Sequence, residues 1–315
     1  MTTIFGLENY RTPPRNPVLT IGNFDGVHRG HLALLRKCVD RAAAIDGTSL
    51  VLTFEPHPLR VLKPDADLPL ICVLDRKLEL IEAAGIGVTV VAQFTRNFAA
   101  ITAVDFVQKI LAGKLGIREL VVGHDYTFGR GREGDLALLA QLAPRHGFVV
   151  HEVGPVEVEG EVVSSTRIRE KIQAGDIPAA NRLLGRQYQL RGRVVRGRNR
   201  GGRLLGFPTA NLRPANELLP PIGVYAVLVE LNGEVRQGVT NIGTNPTFGE
   251  EALSVETYIL DFEGELYDRV IRLKFCRRLR GQIKFDGVDA LAAQIAQDVA
   301  EARRWLDNDY KSIKQ

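Results

Sequence analysis

The chain is poor in several residues that would commit it to a special class. It has three cysteines in 315 residues, Cys38, Cys72 and Cys276. They are odd in number, far apart and without a Cys-x-x-Cys pair, so the sequence encodes neither a disulfide framework nor a zinc ribbon, and a reducing cytoplasm is the expected compartment. There is one methionine and one tryptophan, and aromatic residues make up 7%. No apolar run reaches the roughly 18 residues of a membrane span, and the first residues lack the basic-then-apolar layout of a signal peptide. No internal repeat is visible. Apolar residues at 45% and charged residues at 25% are ordinary for globular proteins, which argues against disorder and coiled coil. The length suits two domains, each able to bury its own core.

One stretch lacks a whole sign of charge. Between Ile177 and Asn216 stand nine arginines (182, 186, 191, 193, 196, 198, 200, 203 and 213), with no lysine and no acidic residue. The chain's net charge is +4, so the remainder sums to −5. Guanidinium matches phosphate oxygens in a bidentate fork, which makes the tract a candidate phosphate site; a solvated basic face at a domain junction is the open alternative.

The two halves have different hydrophobic periods. In the first, Pro17–Gly22, Ser49–Phe54, Gly87–Ala92, Arg118–Gly123 and Gly147–Val153 read as buried strands. They alternate with helical patterns over Gly30–Asp46, Asp75–Ala84, Ala103–Leu115 and Gly134–His146. Strand–helix alternation predicts an α/β unit with a parallel sheet, whose ligands bind at the carboxyl ends of the strands, near Gly22, Phe54 and Gly123. The second half predicts antiparallel strands at Tyr188–Arg196, Val224–Leu231, Glu234–Gly243, Leu253–Phe262 and Arg269–Cys276, as a small closed barrel followed by a helix over Val288–Leu306. Asn232-Gly233 marks a hairpin. The expected division is 1–184 and 185–315.

Two constellations carry chemistry. After the first buried strand comes Gly22-Asn23-Phe24-Asp25-Gly26-Val27-His28-Arg29-Gly30-His31, which is neither a dinucleotide fingerprint nor a P-loop. Its glycines allow a tight strand-to-helix turn, and the helix amino terminus with two histidines offers donors to an anion. A metal pair or a packing role for the histidines are the competing readings. The second constellation is Gly201-Gly202-Arg203-Leu204-Leu205-Gly206-Phe207-Pro208-Thr209-Ala210-Asn211. Phe207-Pro208 stands where a P-loop needs Lys-Ser/Thr, yet Thr209 and Asn211 put two oxygen ligands on alternate residues, suited to Mg²⁺. From generic chemistry alone, a Gly-rich turn before an edge strand with its polar residues facing out is the favoured reading.

The first segment resembles the His-x-Gly-His signature of the nucleotidyltransferase superfamily. With Thr53-Phe54-Glu55-Pro56-His57-Pro58, Val121-Val122-Gly123-His124-Asp125-Tyr126-Thr127-Phe128-Gly129 and Ser164-Ser165-Thr166-Arg167-Ile168-Arg169, in that order, it is similar to the FMN adenylyltransferase module of bacterial FAD synthetases. That resemblance implies a Rossmann-like fold in which FMN phosphate attacks the α-phosphorus of ATP. It implies that His28 and His31 hold ATP phosphates, that Thr166 and Arg169 assist phosphates and leaving group, and that Gly22, Phe24, Asp25, Gly26, Gly30 and Ser165 line the nucleotide site. His57, Asp125 and Phe128 are implied near the flavin; His57 between two prolines is equally a turn residue, and Ser165-Thr166 equally a helix cap.

Gly206-Phe207-Pro208-Thr209-Ala210-Asn211-Leu212 resembles the Pro-Thr-Ala-Asn motif of riboflavin kinases. Pro221–Tyr225, Thr240–Gly249 and Val255–Phe262 follow that family in order. The resemblance implies ATP binding by Gly201, Gly206, Phe207, Pro208, Thr209 and Asn211, with Thr209 and Asn211 on Mg²⁺, and Glu256 as general base toward riboflavin. Tyr258 stands where many relatives have His and Gln282 where many have Glu. The implied whole is a cytoplasmic bifunctional enzyme that takes riboflavin through FMN to FAD with ATP and without nucleic-acid or membrane partners. The competing readings are an Arg-rich RNA-binding protein with an inactive nucleotide fold, or a chain retaining one activity.

Overall fold

The computed structural model describes residues 1–196, 206–244 and 253–313, with side chains to residue 308. The chain forms two compact units: Met1–Pro69 with Val73–Ser164, and Leu70–Cys72 with Ser165–Gln315. The two helices after Ser164 thus group with the second unit, upstream of the expected division near Gly185.

In the first unit, six parallel strands form one sheet: β1 (Thr2–Phe5), β2 (Pro17–Ile21), β3 (Thr48–Glu55), β4 (Val88–Gln93), β5 (Glu119–Gly123) and β6 (Val149–Val153). Their order is β1-β4-β3-β2-β5-β6. Strand alternation sends Val18, Val51 and Val121 to one face, where they pack with Leu35, Cys38 and Ala42 of α1 (Arg29–Ala44) and Ile81 of α2 (Leu74–Ala83). Leu19, Leu50, Leu52, Val90 and Leu120 point to the other face, against Phe106, Val107 and Leu111. Each such side chain, fully buried, contributes about 1.5–3 kcal/mol. The strand order reverses between β2 and β5, so the crevice for a ligand opens at the carboxyl ends of those two strands.

The helix expected over Ala103–Leu115 begins as one turn, Ala103–Asp105, then widens to i→i+5 bonding over Phe106–Lys114. The pattern expected over Gly134–His146 gives α3 (Leu136–Leu142), and Pro144 starts a separate tight turn. A two-stranded ribbon, β7 (Glu157–Val158) and β8 (Glu161–Val162), completes the unit.

The second unit begins with α4 (Ser165–Gln173) and α5 (Ile177–Leu184), followed by a closed six-stranded antiparallel barrel. Its strands are β9 (Tyr188–Val195), β10 (Thr209–Pro214), β11 (Gly223–Leu231), β12 (Glu234–Thr244), β13 (Leu253–Ile259) and β14 (Val270–Arg280), in the order β10-β13-β12-β11-β14-β9. β9 alternates cleanly: Tyr188, Leu190 and Val194 are buried, while Gln189, Arg191 and Arg193 are not. β11 is buried on both faces, because Val224, Ala226 and Leu228 pack outward against Ala302 and Leu306 of the last helix, α6 (Val288–Ile313). Arg280 fixes that helix with two bonds to buried Asp298, 2.8 and 2.7 Å. The hairpin expected at Asn232-Gly233 is present: both residues have positive φ, 51° and 85°, and Leu231 pairs with Glu234.

Candidate functional site

The first site is built on the turn from β2 into α1. Phe24, Gly26 and Val27 all have positive φ, at 49°, 81° and 39°. Glycine takes this conformation freely, but a β-branched residue does not, so Val27 holds strain on the order of 1–3 kcal/mol that its complete burial must sustain. The result is a compact loop that buries Asp25 (3% exposed) and His28 (5%) directly at the switch point of the sheet. His28 caps α1: its ring nitrogen Nδ1 accepts the backbone N–H of His31 at 3.3 Å. With Nδ1 accepting, the neutral ring carries its proton on Nε2. The rings of His28 and His31 stack at 3.6 Å, and Phe24 meets His31 edge-on at 5.2 Å. Gly30 matters sterically, since a Cβ there would come within 3.2 Å of the His28 ring and 3.7 Å of the Val163 carbonyl. Gly22 is similarly tight beneath the Phe24 ring.

Ser165, Thr166 and Arg169 stand on the first turns of α4, two to six residues after Val163. His57 caps the short helix Pro58–Leu62, its Nδ1 accepting from the Leu59 N–H at 3.2 Å. Asp125 is exposed on the loop after β5, and Phe128 is 7% exposed. Phe128 belongs to an aromatic cluster absent from the sequence reading. It stacks with Tyr126 at 5.6 Å and meets Phe106 at 5.8 Å; Phe98, Phe94 and Phe54 continue the chain of contacts. Burial raises the Tyr126 phenol above its ordinary range.

The second site is written by strand register. Asn211 on β10 lies directly opposite Glu256 on β13, and Asn241 on β12 lies opposite Glu256 from the other side. Directly paired residues share a face, so the three polar side chains form one row. Thr209, opposite Tyr258, is one step diagonal and donates its hydroxyl hydrogen bond to the Glu256 carboxylate. Partial burial raises the Glu256 pKa, and the Thr209 bond opposes that rise. Phe207 meets the Tyr258 ring edge-on at 5.3 Å. Nearby, a cavity of about 180 Å³ is lined by Val194, Thr209, Ala210, Phe262, Leu266 and Tyr267. Gly206 has φ 79°; Gly201 lies outside the described residues. So do Arg198, Arg200 and Arg203 of the basic tract. Arg193 donates to the Asp268 carbonyl at 2.9 Å, and Arg196 lies 5.5 Å over the Tyr267 ring.

Among the described residues, no cluster of three or more His, Cys, Asp or Glu could hold a metal, and no helix is long and apolar enough to cross a membrane. The three cysteines are buried and form no disulfide; burial pushes the thiols of Cys38 and Cys276 up to about 12, so both are poor nucleophiles.

Comparison with known proteins matches residues 11–167 to the FAD synthetase family model and residues 184–306 to the riboflavin kinase family model. The chain is 39% identical over 304 residues to a bifunctional riboflavin kinase/FMN adenylyltransferase of Pseudomonas fluorescens, covering 96% of this chain and 97% of that one. It is 38% identical over 297 residues to a protein of the same description from Bacillus subtilis (strain 168), covering 92% and 93%. A crystal structure described as a macrolide-efflux protein from Streptococcus pneumoniae superposes with a TM-score of 0.90 at 32% identity, covering 97% of this chain and 100% of that one.

Proposed function

The chain belongs to the bifunctional riboflavin kinase/FMN adenylyltransferase family, and from that premise we propose how its residues divide the two reactions. It phosphorylates riboflavin to FMN and adenylylates FMN to FAD, both with ATP. We assign the adenylyltransferase to 1–184 and the kinase to 185–315.

In the kinase, Glu256 accepts the proton of the riboflavin 5′-hydroxyl as that oxygen attacks the γ-phosphorus of ATP and ADP departs. A carboxylate with a raised pKa is the stronger base for this step. Thr209 and Asn211 hold Mg²⁺–ATP. Two neutral oxygen donors on alternate residues of one strand, with no carboxylate cluster among the described residues, fit a hard cation that takes its other ligands from phosphate and water. When bound, Mg²⁺ neutralises charge on the transferred phosphoryl group.

In the adenylyltransferase, an FMN phosphate oxygen attacks the α-phosphorus of ATP and pyrophosphate leaves. His28 and His31 donate to the ATP phosphates at the amino end of α1, where free backbone N–H groups and the helix dipole add to the attraction. Gly22, Phe24, Asp25, Gly26 and Gly30 shape that pocket, and Ser165, Thr166 and Arg169 serve the phosphates and leaving group. His57, Asp125 and Phe128 border the flavin; the aromatic cluster around Phe128 offers the apolar wall such a ring needs. A cytoplasmic location suits three buried cysteines that form no disulfide.

The observation that carries the assignment is the register of Glu256 between Asn211 and Asn241, with Thr209 hydrogen-bonded to its carboxylate. β10 and β13, some 45 residues apart in sequence, thereby bring a base and two metal-type oxygens to one face. An RNA-binding role gives no reason for that row and is not favoured. The test is to incubate the protein with riboflavin, Mg²⁺ and ATP and separate the flavins by chromatography: FMN and FAD are expected, and absence of both from folded protein would overturn the reading.

A further inference from the structure

Asn241 has no role in the sequence reading, yet it completes the row that contains the base. Glu256 lies between Asn211 and Asn241, and Cβ atoms of directly opposed residues are about 4.5–5.5 Å apart, so the row spans about 10 Å. Its order across the barrel is β10, β13, β12. The neighbour of Asn241 on the next strand is Val224, which is buried beneath α6. Asn241 is therefore the last polar group of the row before an apolar wall.

The amide of Asn241 is exposed and leans along its own strand. A Cβ at Gly243 would stand 3.3 Å from the Asn241 Nδ2, close enough that a side chain there must push the carboxamide aside by a few tenths of an ångström.

Phosphoryl transfer places donor and acceptor on opposite sides of the transferred phosphorus. The metal–nucleotide residues Thr209 and Asn211 are on β10, and the base is in the middle on β13. The acceptor alcohol thus approaches from β12. On this basis, which rests on Glu256 being the base, we propose that Asn241 binds the polyol side chain of riboflavin on the acceptor side. A carboxamide offers one accepting oxygen and two N–H donors, and each hydroxyl of a polyol both donates and accepts, so the two groups are complementary. Asn241 sets which alcohol is held beside Glu256; the proton still passes from that alcohol to Glu256, the new O–P bond forms and the γ-phosphorus–ADP bond breaks.

The test is Asn241→Ala, with initial rates counted as FMN plus FAD so that only the kinase step is read. The KM for riboflavin should rise about 10-fold, the usual effect of losing one or two neutral hydrogen bonds. The KM for ATP and kcat should stay within about twofold, the scatter of a contact not made. Lumiflavin, which has the ring without the polyol, serves as a competitive inhibitor: its inhibition constant should not change. Gly243→Ala, which crowds the amide, should raise the riboflavin KM in the same direction. An unchanged riboflavin KM in either variant overturns the proposal, as does a rise shared by lumiflavin and ATP, which marks a general loss of the site. Glu256→Gln separates the premise: phosphorylation at the parent rate in that variant refutes the base, whatever Asn241 does.

Discussion

Thr240 on β12 and Thr257 on β13 are direct cross-strand partners, both 0% exposed, and their hydroxyls share one 2.9 Å hydrogen bond inside the barrel. Valine has nearly the shape of threonine, so it can remove one hydroxyl at a time. Thr240→Val leaves the Thr257 hydroxyl buried without its partner, at a cost of about 1–3 kcal/mol. The methyl gained returns about 0.8 kcal/mol, for a net loss of about 1–2 kcal/mol in either single variant. The double variant loses only the net bond, about 1 kcal/mol, and gains two buried methyls, so it should lie within about 1 kcal/mol of the parent. The two singles sum to a loss of about 2–4 kcal/mol, so the coupling between the two changes is about 3–5 kcal/mol, at or above the upper end seen for residues in direct contact. The chain supplies its own reporter: its one tryptophan, Trp305, packs on the barrel from α6. Urea unfolding followed by tryptophan fluorescence therefore reads the second unit by itself. If the double variant loses the sum of the two singles, or if a single loses nothing, the hydroxyl pair is not the closed unit that its geometry describes.

Four further outcomes follow from the site and the core. Glu256→Gln should lower FMN formation about 10²–10⁴-fold while FMN supplied directly still becomes FAD, measured by flavin chromatography. In the parent, the acid limb of FMN formation should sit above the pH expected of an ordinary carboxylate, because burial raises the Glu256 pKa; a pH–rate profile checks this. His28→Ala should slow adenylylation about 10²–10³-fold and let FMN accumulate, which the same chromatography detects. Glu119 is buried at the amino end of β5, where it bonds Arg41 at 2.8 and 2.7 Å and His151 at 2.8 Å. The Arg41 bonds hold its pKa below the usual range, so its stabilisation is complete above the unfolded-state value near 4.3 and fades as pH falls through the folded-state value. Glu119→Gln should lower the melting temperature at pH 7, and calorimetry should find the gap from the parent closing in acid.

What was legible in the sequence was what local chemistry decides. The four buried strands β2 to β5, the Asn232-Gly233 hairpin and the course of α1 follow from apolar runs, a positive-φ turn and helical apolar spacing; β6 was legible from its apolar run, although as an edge strand it buries none of its residues. β1 escaped because a four-residue edge strand with exposed ends carries no run of buried residues to detect. β10 read as well as a turn or a polar edge because Thr209, Asn211 and Arg213 alternate with Ala210 and Leu212, and nothing local says that two other strands flank it. The widened helix at Phe106–Lys114 has the same apolar spacing as an ordinary one. For the site, motif order pointed to Glu256, Thr209 and Asn211, but their row, and the place of Asn241 in it, depend on a register between segments some 15 to 45 residues apart. Register is a property of closed strands, which periodicity in one segment cannot express.

The barrel is closed by its first and last strands: Arg193 of β9 pairs with Val270 of β14, while the six-stranded sheet of the first unit is finished by Val153. A chain emerging from the ribosome can therefore pair every strand of that sheet long before β14 exists, whereas β9, which can pair β10 early, must wait for some 80 residues of translation to meet its other partner, β14. Leu70–Cys72, grouped with the second unit and bonded there through the Leu70 N–H to Glu217, waits with it. The order of synthesis thus runs opposite to the order of chemistry: the half that finishes the cofactor is the first able to fold, and the half that begins it is the last.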